Sequence, residues 1–249
     1  MRRVFIYPHR SVRGIRIAPL KGVLAVVTAA VLTLAMAVSM EPLLAAHNRL
    51  SLSLLNLAGI PILGTSQADL FSPLPPAPVV LVAAAGFQAR SPVFWVLFAV
   101  ALSIIAALYW RIPLARSFLV FIVILLLISA AMAVFHPAGQ LDSAAFSQIW
   151  MRGEVLVWLV LPWFSASAFL LTDPSVLWGV IWVLLTQTYG FIWSAVRLAF
   201  GLALMHYSGM LFAPMFWFVL GFLADVVYVI VFYSIAVQWA ARRTWGSRA

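Results

Sequence analysis

The sequence contains no cysteine, and charged residues of either sign are scarce. Without cysteine the chain has no disulfide, no thiolate metal site and no cysteine nucleophile. Only 8% of its residues are charged, whereas 65% are hydrophobic, and the mean hydropathy is +1.11. Soluble domains are about half apolar and about a quarter charged. Because no soluble core hides so much apolar surface, the composition predicts an integral membrane protein.

Basic residues concentrate at the two ends of the chain. Of fifteen, six precede the first apolar run and three follow the last: Arg2, Arg3, Arg10, Arg13, Arg16 and Lys21, then Arg242, Arg243 and Arg248. This distribution follows the positive-inside rule, so both termini are predicted to be cytosolic. The net charge of +9 therefore indicates contact with lipid head groups and not with nucleic acid.

Long apolar runs recur along the chain and predict an all-α, polytopic membrane fold in a single domain, 1–249. A membrane span needs about 20 apolar residues. After a basic cytosolic segment, 1–21, about six transmembrane helices are predicted at 22–40, 93–110, 117–135, 155–171, 175–206 and 210–239. The first run also resembles a signal peptide, but its length favours an uncleaved span. A bacterial-type inner membrane is the predicted location.

Residues 41–92 interrupt the spans and are predicted to lie at the outer face. Leu50, Leu54 and Leu57 share one helical face, which predicts a short amphipathic helix on the leaflet. Gly59-Ile60-Pro61 is expected to end this helix. The apolar run 77–87 is too short to cross, which predicts a re-entrant or surface-lying segment, with a span as the alternative.

The last two predicted spans form a C-terminal helical hairpin, 175–239, in which each helix carries one charge. Arg197 and Asp225 lie about 16 and about 21 Å from a predicted turn near residue 208, at the helical rise of about 1.5 Å per residue. Their similar depth predicts an ion pair, because pairing offsets the cost of burying each charge. The pair is interpreted either as a structural clasp or as a proton or substrate site in a hydrated cavity.

Three further candidate residues lie near the outer ends of predicted spans. His206 is expected to be a snorkelling or capping group, and Glu154 with Arg152 an interfacial pair. No histidine falls at mid-membrane depth or at ligand spacing, so no metal, haem or other cofactor is predicted. The G-x-S-x-G elbow of serine hydrolases is also absent, which favours a non-catalytic role.

Two stretches resemble the exosortase/archaeosortase family of polytopic membrane cysteine transpeptidases, which process sorting signals at the outer face. One is Leu-Leu-Asn-Leu-Ala-Gly-Ile-Pro at 54–61, leading into Val-Ala-Ala-Ala-Gly-Phe at 82–87; the other covers 194–209. The resemblance implies that Ala84 stands in place of the catalytic cysteine and that Arg197 matches a functional arginine. His206 matches a motif position without an assigned role, and 210–249 contains no histidine to serve as the family's catalytic one.

Together these observations predict a non-catalytic subunit or scaffold of a membrane assembly, related to the exosortases as a degenerate member. Its partners are expected to be the lipid bilayer and other membrane protein subunits, contacted through 41–92. Two alternatives stay open. One is an active exosortase-like processing factor with an unidentified nucleophile, and the other is a small transporter that uses Arg197 and Asp225.

Overall fold

A computed structural model describes residues 19–72, 74–83, 143–172, 175–208, 221 and 223–246, with isolated helical positions between 96 and 127. Most of this part of the chain is helical. The helices are α1 (Pro19–Val38), α2 (Met40–Leu57), α3 (Ser143–Thr172), α4 (Val176–Ser208) and α5 (Ala224–Gly246), and the strands are β1 (Ile62–Ala68) and β2 (Ala77–Val82).

Three of these helices are long and apolar enough to cross a membrane: α1, Ser143–Leu171 of α3 and Val176–Tyr207 of α4. In α5 the apolar stretch Ala224–Trp239 is shorter. The structure thus confirms the mainly helical, membrane-type architecture. The predicted spans 93–110 and 117–135 and the basic segment fall mostly outside the described residues, so six spans stay a prediction. Helix α4 continues to Ser208, near which the turn of the C-terminal hairpin is predicted.

The four longest apolar helices run antiparallel to one another in sequence order. At one end of the bundle, the rings of Trp178 in α4 and Trp239 in α5 lie 5.7 Å apart. Gly179 packs there on Leu170 near the end of α3, and the buried Ala25 of α1 belongs to the same apolar cluster. We call this the tryptophan end.

The opposite end is covered by α2 and the two strands, residues 40–82, which we call the cap. The buried face of α2 consists of Met40, Leu44, His47, Ser51 and Leu55. The predicted face of Leu50, Leu54 and Leu57 is not part of this buried face, and Leu57 is 85% exposed. The contact of that face with the leaflet stays a prediction.

Gly59 ends α2 as the sequence predicts. Its φ of +68° is a left-handed conformation that favours glycine. The Ile60 amide donates to the Leu55 carbonyl and the Gly59 amide to the Asn56 carbonyl, each at 3.0 Å. This is the Schellman pattern, in which an apolar contact accompanies the turn. Ile60 and Leu55 are both buried in the cluster below the cap, so the turn directs the chain back over the bundle.

Strands β1 and β2 form an antiparallel hairpin, so the all-α prediction was wrong for these residues. The interpretation of 77–87 as a re-entrant or surface-lying segment stays a prediction. A short apolar run cannot be separated from a buried helical segment by periodicity, and here the β-branched Val79, Val80 and Val82 favour a strand. The register shifts between Ile62 and Gly64. Residues 84–90 lie outside the described part.

The free edge of β2 is bonded by serine side chains from the first turns of α3. Ser143 Oγ donates to the Val82 carbonyl at 3.0 Å and accepts from the Val82 amide at 3.1 Å. Ser147 Oγ, one turn later, donates to the Val80 carbonyl at 3.1 Å. Buried strand edges need such partners, so these two serines fix the hairpin onto the bundle.

Pro162 lies inside α3 and leaves one backbone carbonyl without its helical hydrogen-bond partner. Proline has no amide hydrogen, so the carbonyl of Trp158, four residues earlier, loses its helical partner. Gln187 Nε2 of α4 donates to that carbonyl at 3.1 Å. The bond joins α3 to α4 midway along their length, where a freed backbone group in a membrane needs a new partner.

Candidate functional site

The most polar buried feature in the described residues is a cluster around Arg197 of α4. Its side chain is 2% exposed. Nη2 donates to Glu154 Oε1 of α3 at 2.9 Å and to Asp225 Oδ1 of α5 at 2.6 Å. Nη1 donates to the Gly221 carbonyl, just before α5, at 2.6 Å. One guanidinium therefore joins three helices, which we call the Arg197 cluster.

The antiparallel order of the helices explains why these residues meet. Arg197 follows Trp178 by 19 residues on α4, about 28 Å from the tryptophan end at the helical rise. Asp225 precedes Trp239 by 14 residues on α5, about 21 Å from the same end. The cluster therefore lies in the half of the bundle next to the cap. Asp225 also lies in the first turn of α5, where the helix dipole favours a negative charge.

Trp150 covers the guanidinium of Arg197. The ring lies 5.7 Å from the Arg197 Cζ atom, within the range of a cation–π contact. Trp150 precedes Glu154 by one helical turn on α3, so the ring and the carboxylate face α4 together. The indole thus shields the cluster on its cap side, with a contact that strengthens when both groups are removed from water.

A second polar contact links the cluster to the cap. His47 Nε2 of α2 lies 2.7 Å from Ser194 Oγ, and both residues are buried. The His47 ring packs between Trp158 and Phe191, with centroid distances of 5.3 and 5.8 Å. Because α2 is not one of the spans, its titration can be considered: burial, aided by the nearby Arg197 charge, lowers the pKa of His47 from 6.5 to about 3. His47 is therefore neutral at physiological pH.

Several buried polar atoms near the cluster have no hydrogen-bond partner among the described residues. They are Glu154 Oε2, Trp150 Nε1, Trp158 Nε1 and Tyr228 Oη. Most buried polar groups in proteins are paired with protein atoms or with ordered water. Other such atoms, among them Ser51 Oγ and Trp182 Nε1, lie elsewhere in the described residues.

An apolar cleft of about 640 Å³ opens beside the cluster, between α3 and α5. Glu154 and Asp225 lie at its cap end, and apolar side chains of α3 and α5 form its walls. The volume lies within the range of about 300–1,000 Å³ typical of ligand sites, which combine apolar walls with a few polar groups. The cleft and the cluster together are the candidate functional site.

The structure brings together some of the residues predicted from sequence and separates others. The predicted Arg197–Asp225 ion pair is present. The predicted Arg152–Glu154 pair was wrong: Glu154 is 3% exposed and bonds to Arg197, whereas Arg152 donates to the Asp69 carbonyl at the surface. Residues two apart on a helix point in different directions, so their closeness in sequence did not make them neighbours.

His206 lies apart from the Arg197 cluster. Its Nδ1 donates to the carbonyl of Ala83 at 2.6 Å, which attaches the end of α4 to the chain just after β2. The contact joins two distant segments, whereas the sequence predicts a snorkelling or capping group at this position. Sequence reasoning missed the contact of His47 with Ser194. The only available signal was the presence of a histidine and a serine within apolar faces, because their partners are 147 residues apart in the chain.

The arrangement offers little for catalysis in the described residues. Ser194 and His47 form a hydroxyl–imidazole contact, but Ser194 is 0% exposed and His47 1%, so a substrate does not reach either atom in this conformation. Within the same residues, no three His, Asp or Glu side chains are grouped as metal ligands. What the described contacts of the site do is hold three helices together.

Comparison with known proteins adds no relative: no family model, no curated protein and no solved structure matches the chain. The resemblance to exosortases therefore stays a prediction. Of its motifs, Ala84 lies outside the described residues, whereas Arg197 lies at the centre of the site.

Proposed function

We propose that this protein is a non-catalytic, multi-pass subunit or scaffold of an assembly in a bacterial-type inner membrane. The observation that supports this most is the use of Arg197. Its guanidinium donates at 2.6–2.9 Å to groups of α3, of α5 and of the backbone before α5. Removing one partner of a buried charge cluster typically destabilises by about 3–5 kcal/mol. A group held in this way serves best as a clasp between helices.

The Arg197 cluster holds together the helices to which the cap is bonded. His47 attaches α2 to α4, Ser143 and Ser147 attach the hairpin to α3, and His206 attaches the chain after β2 to α4. A cap bonded to the bundle at separate points presents its outer surface in a defined orientation. That is the property which a subunit that docks other proteins requires.

The link between α2 and β1 carries the apolar contact surface that we assign to partners. Leu57 is 85% and Leu63 70% exposed. A single exposed leucine is ordinary on a protein surface. Two of them flank the Gly59 turn, a short segment whose backbone is fixed by hydrogen bonds. A fixed, exposed pair of this kind favours a contact with a neighbouring membrane subunit.

The same proposal includes a degenerate relationship to the exosortases. At the position where the resemblance places the cysteine, Ala84 offers only a methyl group. The resemblance matches Arg197 to a functional arginine. In a degenerate member, Arg197 would be retained because it joins the helices. A transporter using Arg197 and Asp225 would have to open these bonds in every cycle, at the energetic cost stated above, which makes it the weaker alternative.

Site-specific photo-crosslinking in cells tests the scaffold proposal. A photoreactive amino acid replaces Leu57 or Leu63 in the cap, and Leu177, which is 67% exposed at the tryptophan end, serves as the matched control. We expect a discrete protein adduct of one size from each cap position and only lipid or background adducts from the control. Identical patterns from all three positions, or no protein adduct from the cap, would refute the scaffold role.

A further inference from the structure

Strand β1 forms the outer side of the cap. Within the described residues, its partner β2 packs on both α2 and α3, whereas β1 packs mainly on β2. Thr65, Ser66 and Gln67 of β1 are all exposed. One edge of β1 is therefore bonded to β2, and the other edge faces outward.

The register of the hairpin shows which backbone groups of β1 lie on the outer edge. In an antiparallel pair, the amide and carbonyl of one residue point to the same side, and successive residues alternate. Val80 and Val82 direct these groups to the serines of α3. Thr65 lies opposite Val80, so its own amide and carbonyl point away from β2. Gln67, two residues further along, points the same way.

The outward backbone groups of Thr65 and Gln67 have no hydrogen-bond partner among the described residues. Natural proteins often protect such an edge with lysine, proline or a covering element, because it is a template for another strand. Residues 65–68 contain neither a charge nor a proline. Their outward groups repeat at about 6.8 Å, the spacing of alternate residues in a strand. The matching ligand is therefore the backbone of an extended polypeptide segment.

The bonds to α3 also give the direction of the hairpin. Ser143 and Ser147 are one helical turn apart, about 6 Å, and they bond to residues two apart on β2, about 7 Å. Strand β2 therefore runs along the axis of α3 in the opposite direction, and β1 runs with α3 towards the tryptophan end. Because α3 is long and apolar enough to cross a membrane, both strands lie roughly along the membrane normal.

This direction argues against a second copy of the chain as the occupant of the edge. Copies in one membrane are related by rotation about the membrane normal, which leaves their β1 strands parallel. Parallel pairing is less stable per residue, and the existing hairpin is antiparallel. A strand antiparallel to β1 runs away from the tryptophan end, as does a chain that leaves the bilayer on the cap side.

We propose that the free edge of β1 binds an extended segment of a partner membrane protein, the segment that directly follows a transmembrane helix of that partner on the cap side. It pairs antiparallel with residues 65–67 and adds a third strand, a mode by which peptides bind exposed sheet edges. Leu63, which is 70% exposed, adjoins this edge, so the strand continues the apolar contact surface assigned to partners. The inference rests on the proposed scaffold role and names how the partner is held.

Amide hydrogen exchange tests the pairing directly. The full-length protein is measured in the complex extracted from cell membranes with a detergent-free polymer, and again after purification as a lone chain in mild detergent. We expect the Thr65 and Gln67 amides to exchange about tenfold more slowly in the complex, the factor that a hydrogen bond of about 1.4 kcal/mol supplies. The Ser66 amide, which faces β2, is the internal control and should be slow in both preparations.

Two other exchange patterns would overturn the proposal. Rapid exchange at Thr65 and Gln67 in both preparations would mean that water covers the edge. Slow exchange in both would mean that another segment of this chain, or a second copy, covers it.

Two substitutions at one position separate the backbone from the side chain. Gln67→Pro removes the outward amide but no bond to β2, and edge strands tolerate proline where the amide faces outward. Gln67→Ala keeps the amide. With a photoreactive amino acid in place of Leu57, we expect Gln67→Pro to reduce the protein adduct about fivefold, as the loss of a hydrogen bond of about 1 kcal/mol predicts. Gln67→Ala should leave the adduct unchanged.

The outcomes separate this inference from the scaffold role. An undiminished adduct in Gln67→Pro, or adducts together with rapid exchange at Thr65 and Gln67 in the complex, would retain the scaffold and overturn the strand pairing. The absence of any protein adduct would overturn both. Thermal unfolding of the two variants checks their folding, and if Gln67→Pro is misfolded, the exchange pattern of the wild type decides.

Discussion

The two ends of the bundle are packed by different means. At the tryptophan end small residues such as Ala25, Ala29 and Ala236 pack beside Phe169 and Leu170, and the buried hydroxyls of Ser165 and Thr186 bond to carbonyls of their own helices. At the cap end the bundle buries His47, Glu154, Ser194, Arg197 and Asp225. The ion pairs of Arg197 with Glu154 and Asp225, which join separate helices, lie at this cap end. The tryptophan end depends on the close fit of its surfaces, and the cap end depends on specific donors and acceptors.

This difference predicts that different kinds of substitution destabilise the two ends. In a membrane, helices associate through close packing of small residues and through a few polar contacts, because lipid is as apolar as the helix surface. A change in side-chain volume should therefore destabilise the protein most at the tryptophan end. A change in charge or hydrogen bonding should destabilise it most at the cap end.

The largest expected effect is the loss of the clasp. Arg197→Leu leaves Glu154 and Asp225 buried without their shared cation, and we expect it to lower the free energy of unfolding by about 3–5 kcal/mol. Unfolding by sodium dodecyl sulfate in mixed micelles measures this change. Arg152→Leu is the control, because Arg152 bonds at the surface, and its effect should stay within about 0.5 kcal/mol. Equal effects of the two substitutions would contradict the clasp.

A volume change at the tryptophan end should come second. A Cβ atom on Gly179 would lie 2.7 Å from Leu170 Cδ2 and 3.3 Å from the Leu170 backbone, so the Leu170 side chain would have to move and the backbone to give by a few tenths of an ångström. We expect Gly179→Ala to destabilise by about 1–3 kcal/mol, as overpacked cores do. Gly22→Ala in α1 meets no atom within 4 Å and is the matched control. If both substitutions are neutral in the same unfolding assay, the close fit at this end is not limiting.

The smallest effect concerns pH at the cap. Since the pKa of His47 is lowered in the folded protein, the unfolded chain binds a proton that the folded chain does not, between pH 6.5 and about 3. Stability therefore falls as pH falls through this window. For one histidine the loss is about 1 kcal/mol between pH 6.5 and 5.5. Thermal unfolding across this range should show the slope in the wild type and a shallower one in His47→Asn. An unchanged slope in the variant would exclude His47 as its source.

The sequence predicts the Arg197–Asp225 contact because charges are rare in apolar helices and these two fall at similar depths. It does not predict the third member, Glu154, since Arg152 is a nearer candidate along the chain and only the packing of α3 on α4 reveals which side of the helix is buried. The buried position of His47 is not predicted for the same reason. The β-hairpin is not predicted because six apolar residues have no periodicity that distinguishes a buried strand from a segment lying on the membrane.

Glu154 also changes how the clasp must be tested. With two carboxylates on one guanidinium, a variant lacking only Arg197 and Asp225 still buries a carboxyl group without its partner. The informative variant removes all three charges together while keeping similar side-chain volumes.

The most direct measurement compares the free energy of unfolding of Arg197→Leu with that of the triple variant Arg197→Leu, Glu154→Gln, Asp225→Asn. If the Arg197 cluster is a clasp whose charges matter mainly to one another, the triple variant should recover more than half of the stability lost in the single variant, since uncharged groups are far cheaper to bury than unpaired ions. A triple variant as unstable as the single one would contradict this account.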